Sequence, residues 1–236
     1  MRIEKIDRFE DFIEAFGHPF CEDERTYRGV KDASFNLIPS LGRLTQYDDD
    51  QLVDYELRVM DEFKRRSRAL LSYTPTSEWD WIFLAQHHGI PTRLLDWTSN
   101  PLVALYFAVE DKSDTDFAIY SGFFNRLYQN SSGGMEVPYR NGPRTTDLIS
   151  PYEVEEVFAV HPTHRHQRYI NQSGFFTIQP APAQPIQDGV QVKHVFDGSL
   201  KQRFHTILIA FGITRFFLFP TLDELVRDIR SRWDHI

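Results

Sequence analysis

A chain of 236 residues that is 41% hydrophobic and 14% aromatic, with 20 phenylalanines, has the composition of one globular domain with a substantial core. Its net charge of −8 argues against broad nucleic-acid binding through a basic surface, and its single cysteine, Cys21, rules out an internal disulfide and a cysteine-based zinc site. No apolar run reaches the roughly 18 residues that suggest a membrane span, and the start, MRIEKIDRFEDF, is charged and amphipathic, so a cytosolic protein without membrane contact is the simplest expectation.

Taken in order, Asp7 and Glu10 read as a capping box for a first helix, with Phe9, Phe12, Ile13 and Phe16 at helical spacing and Gly17, His18 and Pro19 ending it. Thr26–Val30 reads as a short strand. Asp32–Gly42 is a loop with the apolar pegs Phe35, Leu37, Ile38 and Leu41. Asp48 and Gln51 open a long helix to about Leu70, carrying Leu52, Tyr55, Val59, Met60 and Phe63 along one side.

The stretch that follows carries the highest density of polar groups between apolar segments. Ser77 caps a helix that runs to about His88, where Gly89 suits a left-handed C-terminal residue and Pro91 prevents continuation. Leu94–Trp97 reads as a short buried strand or extended segment. Asn100 caps the next helix, with Pro101 at its first position. Gln86, His87, His88, Thr92, Arg93, Asp96, Thr98 and Ser99 therefore fall on a helix end, a turn and the loop opening a second helix. Buried polar groups there must be hydrogen-bonded or bind something.

Downstream, Phe117–Tyr120, Glu155–Val160, Phe175–Ile178 and Val190–Phe196 read as strands, and Arg168–Gln172 as a helical turn. The polar stretch near 125–150, with Gly133-Gly134 and Asn141-Gly142-Pro143, is expected to be a mobile loop or insertion. Ser199 caps a helix that Gly212 closes, and Thr221 with Glu224 opens the last one. With no repeat, no linker and no regular β-α-β alternation, the chain reads as a single α+β domain over 1–236.

Dinucleotide-fold, P-loop, HExxH and GxSxG fingerprints are absent from the sequence. Adjacent His87 and His88 point about 100° apart on a helix, and the run with His161, His164 and His166 is interrupted by Pro162, so no metal is expected. The basic runs Arg65, Arg66, Arg68 and His161–Arg168 read most simply as solvated faces.

Three segments carry a resemblance to a known family. Tyr27-Arg28-Gly29, Leu37–Arg43 and the run Ala85–Thr98, AQHHGIPTRLLDWT, resemble the FRG family, named for an aromatic-arginine-glycine motif. The likeness continues through Asn100–Ala108 and returns at Arg168, at Gln172–Phe176, and between Gly212 and Asp223. A second resemblance is to ADP-ribosyltransferases of the arginine–serine–glutamate type. These use NAD on a small, mixed, split β-sheet surrounded by helices, with an aromatic-Arg-Gly strand first, a Ser/Thr-Ser segment before a helix second, and a Gln/Glu-x-Glu strand entry third.

That resemblance implies NAD as cofactor and a protein or nucleic acid as acceptor. Arg28 would hold pyrophosphate or ribose, Ser99 and Gln172 would orient the dinucleotide, and His87 or Asp96 would handle protons. Gly29, lacking a side chain, would let its backbone meet the nicotinamide carboxamide. Tyr27, Gln86, His88, Thr92, Arg93, Thr98 and Arg168 are the further candidates for contact with the ligand. At the third motif Gln172-Ser173-Gly174 has glycine where glutamate is expected, so another acid (Asp96, Glu56 or Glu153) must serve, transfer must work differently, or the pocket binds without catalysing.

Simpler readings stand beside these. Arg28 can be a structural arginine paired with Asp96, or Arg93 can pair with Asp96 across the turn. His87 can merely complement a helix dipole. Trp79, Trp81 and Trp97 fit a core, and Glu56 a helix flank. Against the transferase stand a non-catalytic nucleotide-sensing module, with a partner protein in a bacterial defence or toxin system, and an NAD-independent hydrolase or nuclease.

Overall fold

In the computed structural model, residues 1–17, 25–111, 113–129, 135–136, 150–162 and 167–233 are described, and the chain is α+β, as expected. His18, Pro19, Cys21, His164, Arg165 and His166 lie outside the described residues, as do 130–134 and 137–149 of the expected insertion.

Local signals set most of the helices. Helix α1 (Phe9–Phe16) forms, but its N-cap is Arg8, which makes no side-chain cap and pairs with Asp11 at 2.8 Å; the expected Asp7 and Glu10 box does not form. In α2 (Asp49–Ser67) the box is complete: Gln51 N donates to Asp48 Oδ1 at 2.9 Å, and Asp48 N to Gln51 Oε1 at 3.0 Å. Its basic end is a solvated face, with Arg65 and Arg66 paired to Glu62. Ser77 Oγ accepts from Asp80 N at the start of α3 (Glu78–His87), and Asn100 accepts from Leu102 N at the start of α4 (Pro101–Val109). Both helices are apolar nearly all round, and such helices are stable only when covered on most sides. Every residue from Trp79 to Ala85 is buried, and so are Val103–Tyr106, Ala108 and Val109.

Strand β1 (Arg2–Ile6), which the sequence reading missed, runs parallel to β9 (Val190–Phe196) at one edge of the sheet. Then follow β4 (Phe117–Gly122), β2 (Thr26–Val30), β3 (Leu95–Thr98), β8 (Gly174–Ile178) and β7 (Phe158–His161), each antiparallel to the strand before it. Strand β5 (Asn125–Gln129) joins β7 in parallel, and β6 (Met135–Glu136) closes the far edge. Nine described strands thus make one mixed sheet, in which β1, β5 and β6 were not foreseen.

The sheet is nearly divided at its middle. From Thr26 to Val30, β2 pairs in full with β4, and β3 pairs in full with β8, but β2 and β3 share only the pair Tyr27↔Thr98. Beyond that pair the two strands diverge. Each half has its own apolar cover. A phenylalanine-rich cluster, including Phe12, Phe117, Phe196 and Phe204, packs α1, α4 and helix α6 (Lys201–Ala210) over the β2 half. Trp79, Ile82, Phe83, Leu94 and Phe176 pack α3 and α2 over the β3 half. On the opposite face Val30, Trp97, Tyr120 and Phe175 join both halves under the loop that carries Leu37.

Short helices α5 (Gln167–Asn171) and α7 (Arg215–Leu218) and the longer α8 (Leu222–Trp233) complete the described chain. The expected Ser199 cap is replaced: Asp197 accepts from Ser199 N at 2.9 Å and holds a 3-10 turn that leads into α6. Thr221 does cap α8, accepting from Glu224 N at 3.3 Å. No helix among the described residues is long and apolar enough to cross a membrane.

One buried ion pair locks the turn between α3 and β3. Arg93 and Glu56 are 2% and 1% exposed. Arg93 Nε donates to Glu56 Oε2 at 2.7 Å, and Arg93 N to Glu56 Oε1 at 3.0 Å. Burial pushes the Glu56 carboxyl up, and Arg93 opposes that by charge and hydrogen bonding. Removing one partner leaves a buried charge or buried donors unmatched. Glu56→Ala is therefore expected to lower unfolding stability by about 3–5 kcal/mol. Urea melts of wild type and variant at equal m-value check this; a loss below about 1 kcal/mol, the range of an exposed pair, would refute it.

Candidate functional site

A cavity of about 820 Å³ opens where β2 and β3 part. Its floor is Tyr27–Val30 of β2, the following Lys31, and Asp96–Thr98 of β3. One wall is the loop from Ser34 to Arg43; the others are Ala104 and Phe107 of α4, and Arg168 and Gln172 around α5. Arg28 spans the gap: its Nη1 donates to the main-chain oxygen of Asp96 and lies 3.8 Å from Asp96 Oδ2. A side chain thus takes up a β3 carbonyl on the side where the two strands no longer pair.

The cavity wall is rich in cations. Among the described residues, Arg28, Lys31, Arg43 and Arg168 line it, against the single carboxylate of Asp96. Burial pulls the Arg28 guanidinium below its ordinary value; Asp96 opposes the shift and the neighbouring Arg43 adds to it. A guanidinium stays protonated under such pressure, so the site is set up for an anion rather than for proton transfer by Arg28. Arg43 is placed by its bond to the Ile38 carbonyl at 3.1 Å. Arg168 lies over the Phe219 ring at 4.7 Å, and Phe219 meets Phe107 edge-on. The wall therefore offers aromatic surface beside fixed positive charge.

A chain of short polar contacts fixes Asp96. Thr92 Oγ1 donates to Gln86 Oε1 at 2.7 Å, and Gln86 Nε2 reaches both Asp96 carboxylate oxygens at 3.2 Å. The Asp96 side chain remains 60% exposed. A second, small recess of about 30 Å³ is lined by Gln86, His87, Asp96, Arg168 and Gln172. Gln172 is anchored from two directions: its Nε2 donates to Leu218 O at 3.0 Å, and its main-chain carbonyl accepts from Thr98 Oγ1 at 2.7 Å. Next to it Ser173 is left-handed, with φ +45°, and its carbonyl accepts from Ser99 N.

Among the expected site residues, Tyr27, Arg28, Gly29, Asp96, Thr98, Arg168 and Gln172 come together around the large cavity, and Gln86 and His87 around the small one. The others go elsewhere. Arg93 pairs with Glu56 and not with Asp96, which removes both from ligand contact. Thr92 is fully buried and acts through Gln86. His88 and Ser99 are exposed and line neither cavity; Thr98 lines the large one, with its hydroxyl engaged by the Gln172 main-chain carbonyl and by Asn100 N. Glu153 is exposed and lines neither, so Asp96 is the one proposed acid on the cavity wall. Trp79 and Trp81 are core residues, and Trp97, though it touches the cavity, is 3% exposed with Nε1 bonded to Thr177.

Lys31, Phe35, Arg43 and Phe107 are cavity residues that sequence reasoning did not assign. Arg43 and Phe107 both stand inside motif segments that carried the family resemblance, which was the available signal. For Lys31 and Phe35 there was none beyond proximity to Arg28.

The cavity defines an α+β protein with a cationic, aromatic-walled cleft in a split sheet. The FRG domain model matches residues 23–116 of the chain. The match takes in β2, the Arg43 loop, α3, β3 and α4, and leaves Arg168 and Gln172 outside. No curated protein and no solved structure matches the chain.

Gly29, expected to give a ligand close access to the backbone, is used by α4. A Cβ built there would stand 1.8 Å from the Ala104 carbonyl oxygen and 2.9 Å from Ala108 N. Helix and strand are in backbone contact and neither can yield. Gly29→Ala is expected to cost on the order of 3 kcal/mol by overpacking. A thermal melt checks it; an unchanged midpoint would show that α4 does not press on β2 this closely.

Proposed function

We propose that the cleft binds NAD and supports cleavage of its nicotinamide–ribose bond, an ADP-ribosyltransferase-like activity. The observation that supports this most is the position of Arg28: the arginine of an aromatic-Arg-Gly strand, set at the base of a cleft where the sheet divides. A dinucleotide presents a diphosphate and two aromatic ring systems. Arg28, with Arg43 and Lys31 nearby, matches the diphosphate, and Tyr27, Phe35 and Phe107 offer ring contacts. Breaking the glycosidic bond develops positive charge on the ribose, and Asp96 is the carboxylate on the same wall that can stabilise it. Gln172, held by Leu218 and Thr98, is a neutral hydrogen-bonding group for ribose hydroxyls.

Titration calorimetry with NAD tests the reading. Wild type is expected to bind saturably, and Arg28→Ala to bind at least about tenfold more weakly, in line with the roughly 1.5–3 kcal/mol of a hydrogen bond to a charged group. Circular dichroism confirms that the variant is folded. Equal binding, or none, in both proteins would dismiss the reading.

One observation favours a non-catalytic sensor: glycine stands at position 174, where the transferase pattern has glutamate, and the nearby Gln172 is uncharged. Binding of NAD without nicotinamide release, alone or in the presence of cell lysate, would select the sensor.

A further inference from the structure

Helix α8 presents its apolar side outward and its ion-paired side to its own domain. We infer that the outer face binds a second copy of this chain, with the two α8 helices antiparallel. Leu222, Val226, Ile229 and Trp233 are 76%, 48%, 47% and 67% exposed. At 3.6 residues per turn these four fall within an arc of about 60°. Glu224, only 8% exposed, stands on the opposite side of the helix. It pairs with Arg215 of α7 and with Arg227, both at 2.9 Å, and Arg215 also reaches Glu110 at the end of α4. Charges thus fasten α8 to its own domain. A helix of 12 residues draws most of its stability from packing its apolar face, and this domain leaves that face largely uncovered. Helix α8 lines neither cavity, so the contact stands apart from what the cleft binds.

Spacing and charge identify the occupant. From Leu222 to Val226 to Ile229 to Trp233 the steps are four, three and four residues. That is the seam of a two-helix coiled coil, with Leu222 and Ile229 at d positions and Val226 and Trp233 at a positions. In an antiparallel pair each a residue packs against a d residue. Val226 then meets Ile229 of the second copy, and Leu222 meets its Trp233. A two-fold axis between Val226 and Ile229 generates every contact from one helix, the self-complementary arrangement of a symmetric dimer.

Asp223 and Arg230, both exposed, follow the two d residues and flank the seam on one side. Antiparallel helices bring this flank against the same flank of the other copy, so Asp223 of each faces Arg230 of the other. Parallel helices would set it against the side where Leu225 stands, and neither charge would meet a partner across the seam. A lipid surface fits less well. Helix α8 carries three acidic and three basic residues in a chain of net charge −8, whereas helices that lie on membranes are rich in Lys and Arg on the polar face.

Two helices about 18 Å long make a contact at the small end of specific interfaces, so the dimer is expected to have a Kd on the order of 10–100 µM. Sedimentation equilibrium of the full chain from about 1 µM to about 1 mM brackets that range. Wild type is expected to pass reversibly from monomer to dimer. Ile229→Glu, with its fold checked by circular dichroism, is expected to dimerise at least about tenfold more weakly, because it buries an unpaired charge in the seam. Asp223→Arg and Arg230→Asp are each expected to weaken self-association on the order of tenfold, through loss of two exposed pairs per dimer. An equimolar mixture of those two variants is expected to recover near wild-type affinity, since each then offers the charges the other lacks. A protein that stays monomeric throughout would overturn the inference; flotation of that monomer with phosphatidylserine–phosphatidylcholine vesicles, lost in Ile229→Glu, would give the stripe to a membrane instead. A dimer indifferent to Ile229→Glu would overturn it by placing the contact elsewhere. A mixture that associates no better than its components would overturn the antiparallel arrangement.

Discussion

The structure depends on a junction that is barely made. Strands β2 and β3 meet through one backbone pair, Tyr27↔Thr98, and then separate while each remains fully paired on its other side. Two diverging strands leave main-chain polar groups without their usual partners, and such groups must be satisfied by something else. Arg28 does part of this by donating to the Asp96 carbonyl. The same side chain thus closes the sheet's hydrogen bonding and puts a cation on the cleft floor. Structural and ligand-facing roles need not compete here, because a guanidinium has five donors and the sheet uses few of them.

Two acid–base pairs, joined at the neighbouring Arg93 and Asp96, show how burial divides labour. Arg93 and Glu56 are both inside the protein, satisfy each other, and hold the turn that presents β3. Arg28 and Asp96 are only 3.8 Å apart but face the cavity, with the Asp96 side chain largely in solvent. The buried pair fixes geometry; the open pair is free to exchange its solvent for a ligand. Positive charge gathers in the cleft although the chain as a whole is acidic, at −8. That contrast suits recognition of a small anion better than coverage of a nucleic-acid surface.

The apolar logic is equally local. Helix α4 carries Ala104 and Ala108 toward Gly29, and the absence of side-chain bulk lets helix and strand touch through their backbones. This close approach sets the depth of the cleft, since Ala104 and Phe107 form part of its wall. The glycine of the aromatic-Arg-Gly motif is thus explained by packing, and its neighbour Arg28 by the site. Adjacent residues of a strand face opposite sides, so one motif serves both.

Much of this could be read along the chain, because caps, turns and periodicity are properties of a few adjacent residues. Asp48 with Gln51, Ser77, Gly89, Asn100 and Thr221 mark their helix boundaries where expected, and Thr26–Val30 and Val190–Phe196 are strands to the residue. The polar run from Gln86 to Asp96 declared itself by its density, and the family-like motifs pointed to Arg28 and Gln172. What the sequence could not determine was partnership. Whether Arg93 meets Asp96 or Glu56, whether Thr98 or Ser99 faces the cavity, and whether Gly29 serves a ligand or a helix depend on which distant segments pack together. Those choices belong to the tertiary structure: the lowest-energy partner for a charge or a gap is set by three-dimensional distance and burial, and the linear spacing of residues carries neither.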